Sequence, residues 1–145
     1  MKQTKGFTLI ELLVAATIIA LLTAIGVVSY ANINKRSRDT KRKSDIEQIR
    51  SSLEMYRADN GSYPNAGAGS WTDVSSLSAL VTGGYIAAIP ADPKTTQVYR
   101  FQVTNLVSGK YYGYCLSGHI EAEVNPDDTC NPDTVNDHNY GVKSP

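Results

Sequence analysis

Proline is missing from the first 63 residues of the chain and first occurs at Pro64. A proline inside a helix removes a backbone donor and clashes with the preceding turn, so nothing in this stretch forbids one long helix. Cysteine is almost as scarce: Cys115 and Cys130 are the only two. That is too sparse for a zinc site, and it is compatible with one disulfide in an oxidising compartment, which points to export. The two histidines, His119 and His138, stand alone in the sequence. No serine has a histidine and an acid at useful spacing and no glycine loop has a phosphate-cradling pattern, so nothing argues for an enzyme. The chain has no excess of either charge, with 14 Lys or Arg against 14 Asp or Glu. The balance hides an uneven layout. Residues 34–57 hold 8 cations against 4 acids, and everything from Ala58 onward holds 4 against 9.

Charge is also nearly absent between Phe7 and Ala31, where Glu11 is the one charged side chain in 25 residues. An apolar helix of that length can cross a hydrocarbon core of roughly 30 Å. A conventional signal peptide has a shorter apolar region followed by a small-residue cleavage site. Neither feature fits here, so the apolar helix is expected to stay in the mature chain. At 145 residues there is room for one modest globular unit beside it.

The segment Lys5-Gly6-Phe7-Thr8-Leu9-Ile10-Glu11 joins a basic leader, a glycine, an aromatic residue and a lone acid at the fifth position of an apolar helix. It resembles the processing motif of type IV pilins and type II secretion pseudopilins. The resemblance implies a prepilin leader over residues 1–6, cut by a prepilin peptidase between Gly6 and Phe7, with N-methylation of the new Phe7 amine. It also implies a filament-core helix over residues 7–31 and a role for Glu11 in filament assembly. An acid inside a membrane costs on the order of 3 kcal/mol and is normally paired. The cation that processing creates nearby is the Phe7 ammonium, on the same helix or, as the resemblance favours, on a neighbouring subunit. Lys2 and Lys5 precede the helix, whereas Lys35, Arg36, Arg38, Lys41, Arg42 and Lys43 follow it. The positive-inside rule alone would place the basic side in the cytoplasm. The leader motif, which meets a cytoplasmic peptidase in this family, implies the opposite orientation, with the N-terminus in.

Ala16, Ala20 and Ala24 recur every fourth residue. They form either a close-packing ridge or the ordinary alanine content of a membrane helix. Ile46, Ile49, Leu53 and Tyr56 keep a helical spacing, so the helix is expected to continue as an amphipathic stem over residues 32–60. The turn formers Asp59 to Pro64 end it. Gly26 is either a point of bending or a tolerated glycine. The run from Lys35 to Lys43 fits anionic lipid, charge pairing between subunits or a solvated face. No aromatic platform accompanies it, so a dedicated nucleic-acid site is not expected.

Residues 61–145 read as a globular head. Asp73 is placed to cap a short helix carrying Leu77, Leu80 and Val81 on one side and ending at Gly83-Gly84. The Pro90-Ala91-Asp92-Pro93 turn resembles the segment that leads into the sheet in major pseudopilins. Period-two alternation predicts three strands around Tyr99-Phe101-Val103, Tyr112-Tyr114-Leu116 and Ile120-Ala122-Val124. The expected fold class is α+β: a long transmembrane-to-stem helix whose second half packs on a small antiparallel sheet. A Cys115–Cys130 disulfide is expected, tethering a loop rich in Asn, Asp and Pro. The acids of that loop, among them Asp127, Asp128, Asp133 and Asp137, offer oxygen ligands suitable for calcium. They do not follow the family's calcium pattern, and a solvated acidic loop is the simpler reading; no other cofactor is expected.

The function expected from these features is that of a structural subunit in a homo-oligomeric helical filament, a type IV pilus or a pseudopilus. The resemblance implies prepilin peptidase, an assembly platform and an ATPase as partners. It implies a single-pass location in the cytoplasmic membrane before assembly, and a periplasmic or extracellular filament afterwards. The alternative is a minor pilin at a filament tip that binds a surface, DNA or secreted cargo.

Overall fold

The computed structural model describes residues 6–122, 130 and 138–145, with the side chain of Val28 left aside. The first five residues of the leader, Val124 and the loop acids Asp127, Asp128, Asp133 and Asp137 lie outside the described residues. One helix, α1, runs Leu9–Asn60, 52 residues without a break. Two compact units divide the chain after Lys35.

In the first unit the described large apolar side chains, including Leu9, Ile10, Ile18, Ile19, Leu22 and Ile25, are exposed. The segment is long and apolar enough to cross a membrane, and none of it is buried within the chain. Soluble monomers rarely leave so continuous an apolar surface in water.

The second unit is the head, built on residues 36–60 of α1. Ile46, Ile49 and Leu53, the stripe expected from the sequence, are fully buried. They share one core with Tyr99, Phe101, Val103, Tyr114 and Leu116 of the sheet. Burying each aliphatic side chain of this kind contributes roughly 1.5–3 kcal/mol. The stem stops where the sequence said it would. Gly61 takes a φ of +73°, and its N–H donates to the Arg57 carbonyl at 2.8 Å, a left-handed termination that favours glycine.

The sheet is antiparallel, in the order β1-β2-β3-β4, with β1 at Thr72–Asp73, β2 at Arg100–Val107, β3 at Lys110–Gly118 and β4 at Tyr140–Lys143. Strands β2 and β3 form a hairpin with Val107 opposite Lys110. Its two-residue turn holds Ser108 at φ 50° and Gly109 at φ 78°, the doubly left-handed geometry that matches strand twist. Asp73 caps as expected, its Oδ1 accepting from the Ser75 N–H at 2.7 Å. It caps a 3-10 turn at Val74–Ser76 that precedes the short helix α2, Ser78–Thr82. Leu77 and Leu80 are buried, whereas Val81, expected beside them, is 39% exposed.

Two of the three expected strands form, and the described part of the third, residues 120–122, is not a strand. Residues up to Ala122 after β3 are not extended into a strand; the strand beside β3 is β4, with Cys115 opposite Lys143 and Gly118 opposite Tyr140. The reason is local competition for the backbone. The N–H groups of Glu121 and Ala122 donate to the Asp39 carboxylate at 3.0 and 2.8 Å. Asn139 brackets Ile120, accepting from its N–H at 2.7 Å and donating to its carbonyl at 3.0 Å. Side chains thus take the partners that a strand ladder would have used.

Candidate functional site

At the start of α1, Thr8 and Glu11 close on each other. The Thr8 N–H and hydroxyl both donate to Glu11 Oε2 at 2.8 Å, and the Glu11 N–H donates to Thr8 Oγ1 at 3.3 Å. This is a reciprocal capping box, which satisfies donors that every helix N-terminus leaves open. It also fixes the carboxylate against the positive end of the helix dipole, bonded to Thr8, the residue that follows Phe7. The Thr-x-x-Glu spacing was visible in the sequence as a capping signal. Reading Glu11 only as the partner of an amine missed it. Gly6 and Phe7 precede the first helical turn and are exposed.

The basic run that follows the apolar segment is partly turned inward. Arg42 is completely buried. Its Nε and Nη2 donate to the two oxygens of Asp92 at 2.7 and 2.9 Å, and its Nη1 donates to Asp39 at 2.9 Å and to Glu121 at 2.7 Å. Arg38 makes a two-pronged contact with Glu121 at 2.9 and 2.7 Å, and Lys94 Nζ reaches Glu121 at 2.7 Å. Three cations therefore meet three acids drawn from α1, the Pro90–Pro93 turn and the segment after β3. Hydrogen bonding from Arg38, with further support from Lys94 and Arg42, holds the Glu121 carboxyl well below the usual carboxylate range despite burial. Burial disfavours the Arg42 charge, yet its bonds to Asp92 and Glu121 outweigh that and raise its pKa. A little further along α1, Asp45 accepts from Lys41 at 2.7 Å and from the buried Tyr99 hydroxyl at 2.9 Å. The lipid, intersubunit and DNA readings of this run thus lose Arg38 and Arg42, which brace the head.

Cys115 and Cys130 are joined in a disulfide with Cα atoms 5.6 Å apart. His138, which stands alone in the sequence, meets Ser117: Oγ and Nδ1 lie 2.9 Å apart. Both residues are buried, so this pair has no surface from which to reach a substrate. Among the described residues no group of His, Cys, Asp or Glu is arranged to hold a metal.

A capped apolar helix with a lone acid in its first turn, continuing into the core of an α+β head, defines the class of helix-anchored pilin-like subunits. Residues 1–27 match the prokaryotic N-terminal methylation motif, and residues 29–114 match the protein G family of the type II secretion system. The type II secretion system core protein G of Escherichia coli is 35% identical over 97 residues, covering 63% of this chain and 67% of that protein. That of Pseudomonas aeruginosa is 34% identical, covering 63% and 69%. The type IV wide pilus major component PilA4 of Thermus thermophilus is 37% identical over 126 residues, covering 86% of this chain and 80% of that protein. No solved structure matches. The chain belongs to the type II secretion system protein G family, and it is similar to a type IV pilin over more of its length.

Proposed function

We propose that this chain is a structural subunit of a type IV pilus or pseudopilus, built into the filament by its N-terminal helix. The carrying observation is the pairing of an exposed Gly6-Phe7 junction with the capped Glu11 on a helix whose apolar surface finds no cover within the chain. A prepilin peptidase cuts after Gly6, and the Phe7 amine is methylated. The precursor is a single-pass protein of the cytoplasmic membrane with its N-terminus inside. Polymerisation, driven by an assembly platform and an ATPase, moves the helices into the filament core, where each finds neighbours in place of lipid. The chain acts mechanically and carries out no catalysis; the buried Ser117–His138 pair and the internal use of Arg38 and Arg42 support that reading. The similarity to a wide-pilus major component favours a major subunit over a tip adhesin.

Intact-mass measurement of subunits in sheared surface or periplasmic filaments tests the proposal. The expected species starts at Phe7 and carries one added methyl group. Filaments that lack this chain, or subunits that retain Met1, would overturn it.

A further inference from the structure

The head carries an exposed apolar tip and a surface groove floored by core residues, and they lie at opposite ends of β2. At the hairpin end, Leu106 and Val107 are 61% and 55% exposed, beside Lys110 across the turn. At the other end is a groove of about 330 Å³, with the buried Val74 and Tyr99 at its floor, Ile89, Pro90 and the exposed Val98 among its apolar lining, and Asp73, Asp92 and Gln97 among its polar lining. Seven residue steps of strand, at about 3.3 Å each, separate the two ends by roughly 23 Å.

The charges of these two features are complementary. Asp73, Asp92 and Glu121 are the acids between residues 61 and 122. The buried cluster takes Asp92 and Glu121, while Asp73 has no ion pair among the described residues. Lys94 is likewise taken and Arg100 donates to the Trp71 carbonyl, while Lys110 has no ion pair among the described residues. The head thus leaves an anion in the lining of a partly apolar groove and a cation beside an apolar tip.

We infer that the hairpin tip of one copy docks in the Asp73 groove of the next, with Leu106 and Val107 covering Ile89, Pro90 and Val98 and Lys110 facing Asp73. The inference rests on the filament reading above and supplies a contact between heads for it. Because knob and socket are different patches about 23 Å apart on one strand, the contact is heterologous. Such contacts propagate as open helical polymers instead of closing as two-fold dimers. A second copy is the occupant whose tip matches the groove in both charge and apolar character.

The test is a double variant, Val98→Cys with Val107→Cys, oxidised gently after assembly. The two positions are too far apart in one chain to bridge, so a bond between them joins copies. Denaturing gels are expected to show a ladder beyond the dimer, and each single variant should show none. Polymer that forms without the ladder overturns this inference alone. A wild-type chain that yields no polymer sinks the filament reading, and this contact with it. Should the double cysteine variant fail to polymerise, charge reversal decides: Lys110→Asp is expected to lower polymer yield, and adding Asp73→Lys to restore it. Failure to restore overturns the contact.

Discussion

Arg42 and Asp92 face each other through two parallel hydrogen bonds, Nε to Oδ2 at 2.7 Å and Nη2 to Oδ1 at 2.9 Å, with both side chains almost wholly out of water. The pair ties the stem helix to the turn that leads into β2. Taking two ions out of water is costly, and removing one of them leaves the other buried and uncompensated. Arg42→Met is therefore expected to destabilise the head by about 3–5 kcal/mol, a large part of the 5–15 kcal/mol typical of a domain. Arg42→Lys should recover little, because an ammonium cannot reproduce the planar two-pronged contact. Denaturant unfolding of the wild type and both variants checks this. A loss under 1 kcal/mol for Arg42→Met would show that the cluster is not stabilising.

Glu121 makes the same cluster sensitive to acid. Its folded-state pKa is lowered, chiefly by Arg38, so the folded chain binds its proton less readily than the unfolded chain. Stability from this group is fully present above the unfolded value of about 4.3 and is lost as pH falls from there through the folded value. Thermal melts are expected to be flat with respect to Glu121 from neutral pH down to about pH 5 and to fall below it. Glu121→Gln should lower stability at neutral pH and flatten the acid slope. An unchanged slope in that variant would refute the assignment.

The long helix, its core stripe, its stop and the β2–β3 hairpin were legible because each rests on a local signal. Proline is absent, Ile46, Ile49 and Leu53 keep helical spacing, turn formers cluster after Asp59, and Tyr99, Phe101 and Val103 alternate. The Thr8–Glu11 box was legible too, in its Thr-x-x-Glu spacing, but the charge-pairing reading obscured it. The ionic cluster was not legible. Arg38 and Arg42 meet partners 50 to 83 residues away, and a run of cations on a helix looks the same whether it faces water or buried acids. The failed strand at Ile120 has a similar origin: alternation registers a side chain's polarity but not that Asp39 and Asn139 claim the backbone. β4 is only 4 residues long, too short for alternation to reveal.

The disulfide makes the next prediction. Cys115 and Cys130 are 15 residues apart, and closing a loop of that size stabilises the folded chain by about 3 kcal/mol in the chain-entropy account. A Cys115→Ser/Cys130→Ser variant is expected to melt roughly 10 °C or more below the parent. The neighbouring β3–β4 pairing should be the first part to lose protection in hydrogen exchange. A melting point within a degree or two of the parent would mean that strand pairing alone holds the C-terminal residues.

Glu11 and Thr8 allow the assembly role to be separated from the processing role. The capping box holds the carboxylate at the helix start on Thr8, the residue next to Phe7, whose amine the proposed cleavage would create. Glu11→Val removes both the cap and the counter-charge, while the Gly6-Phe7 junction and the apolar helix remain. Cleavage and membrane insertion should continue. Filament yield should fall sharply, because an unpaired ammonium entering an apolar core costs about 3–5 kcal/mol. Glu11→Gln separates the two contributions: its amide oxygen can still accept from Thr8, so the cap survives while the charge is lost. If the charge governs assembly, Glu11→Gln behaves like Glu11→Val; if the cap governs it, Glu11→Gln assembles like the parent and Thr8→Ala fails. Quantifying cleaved subunits in membrane and sheared-filament fractions decides between them, and normal filament numbers from all three variants would remove Glu11 from assembly altogether.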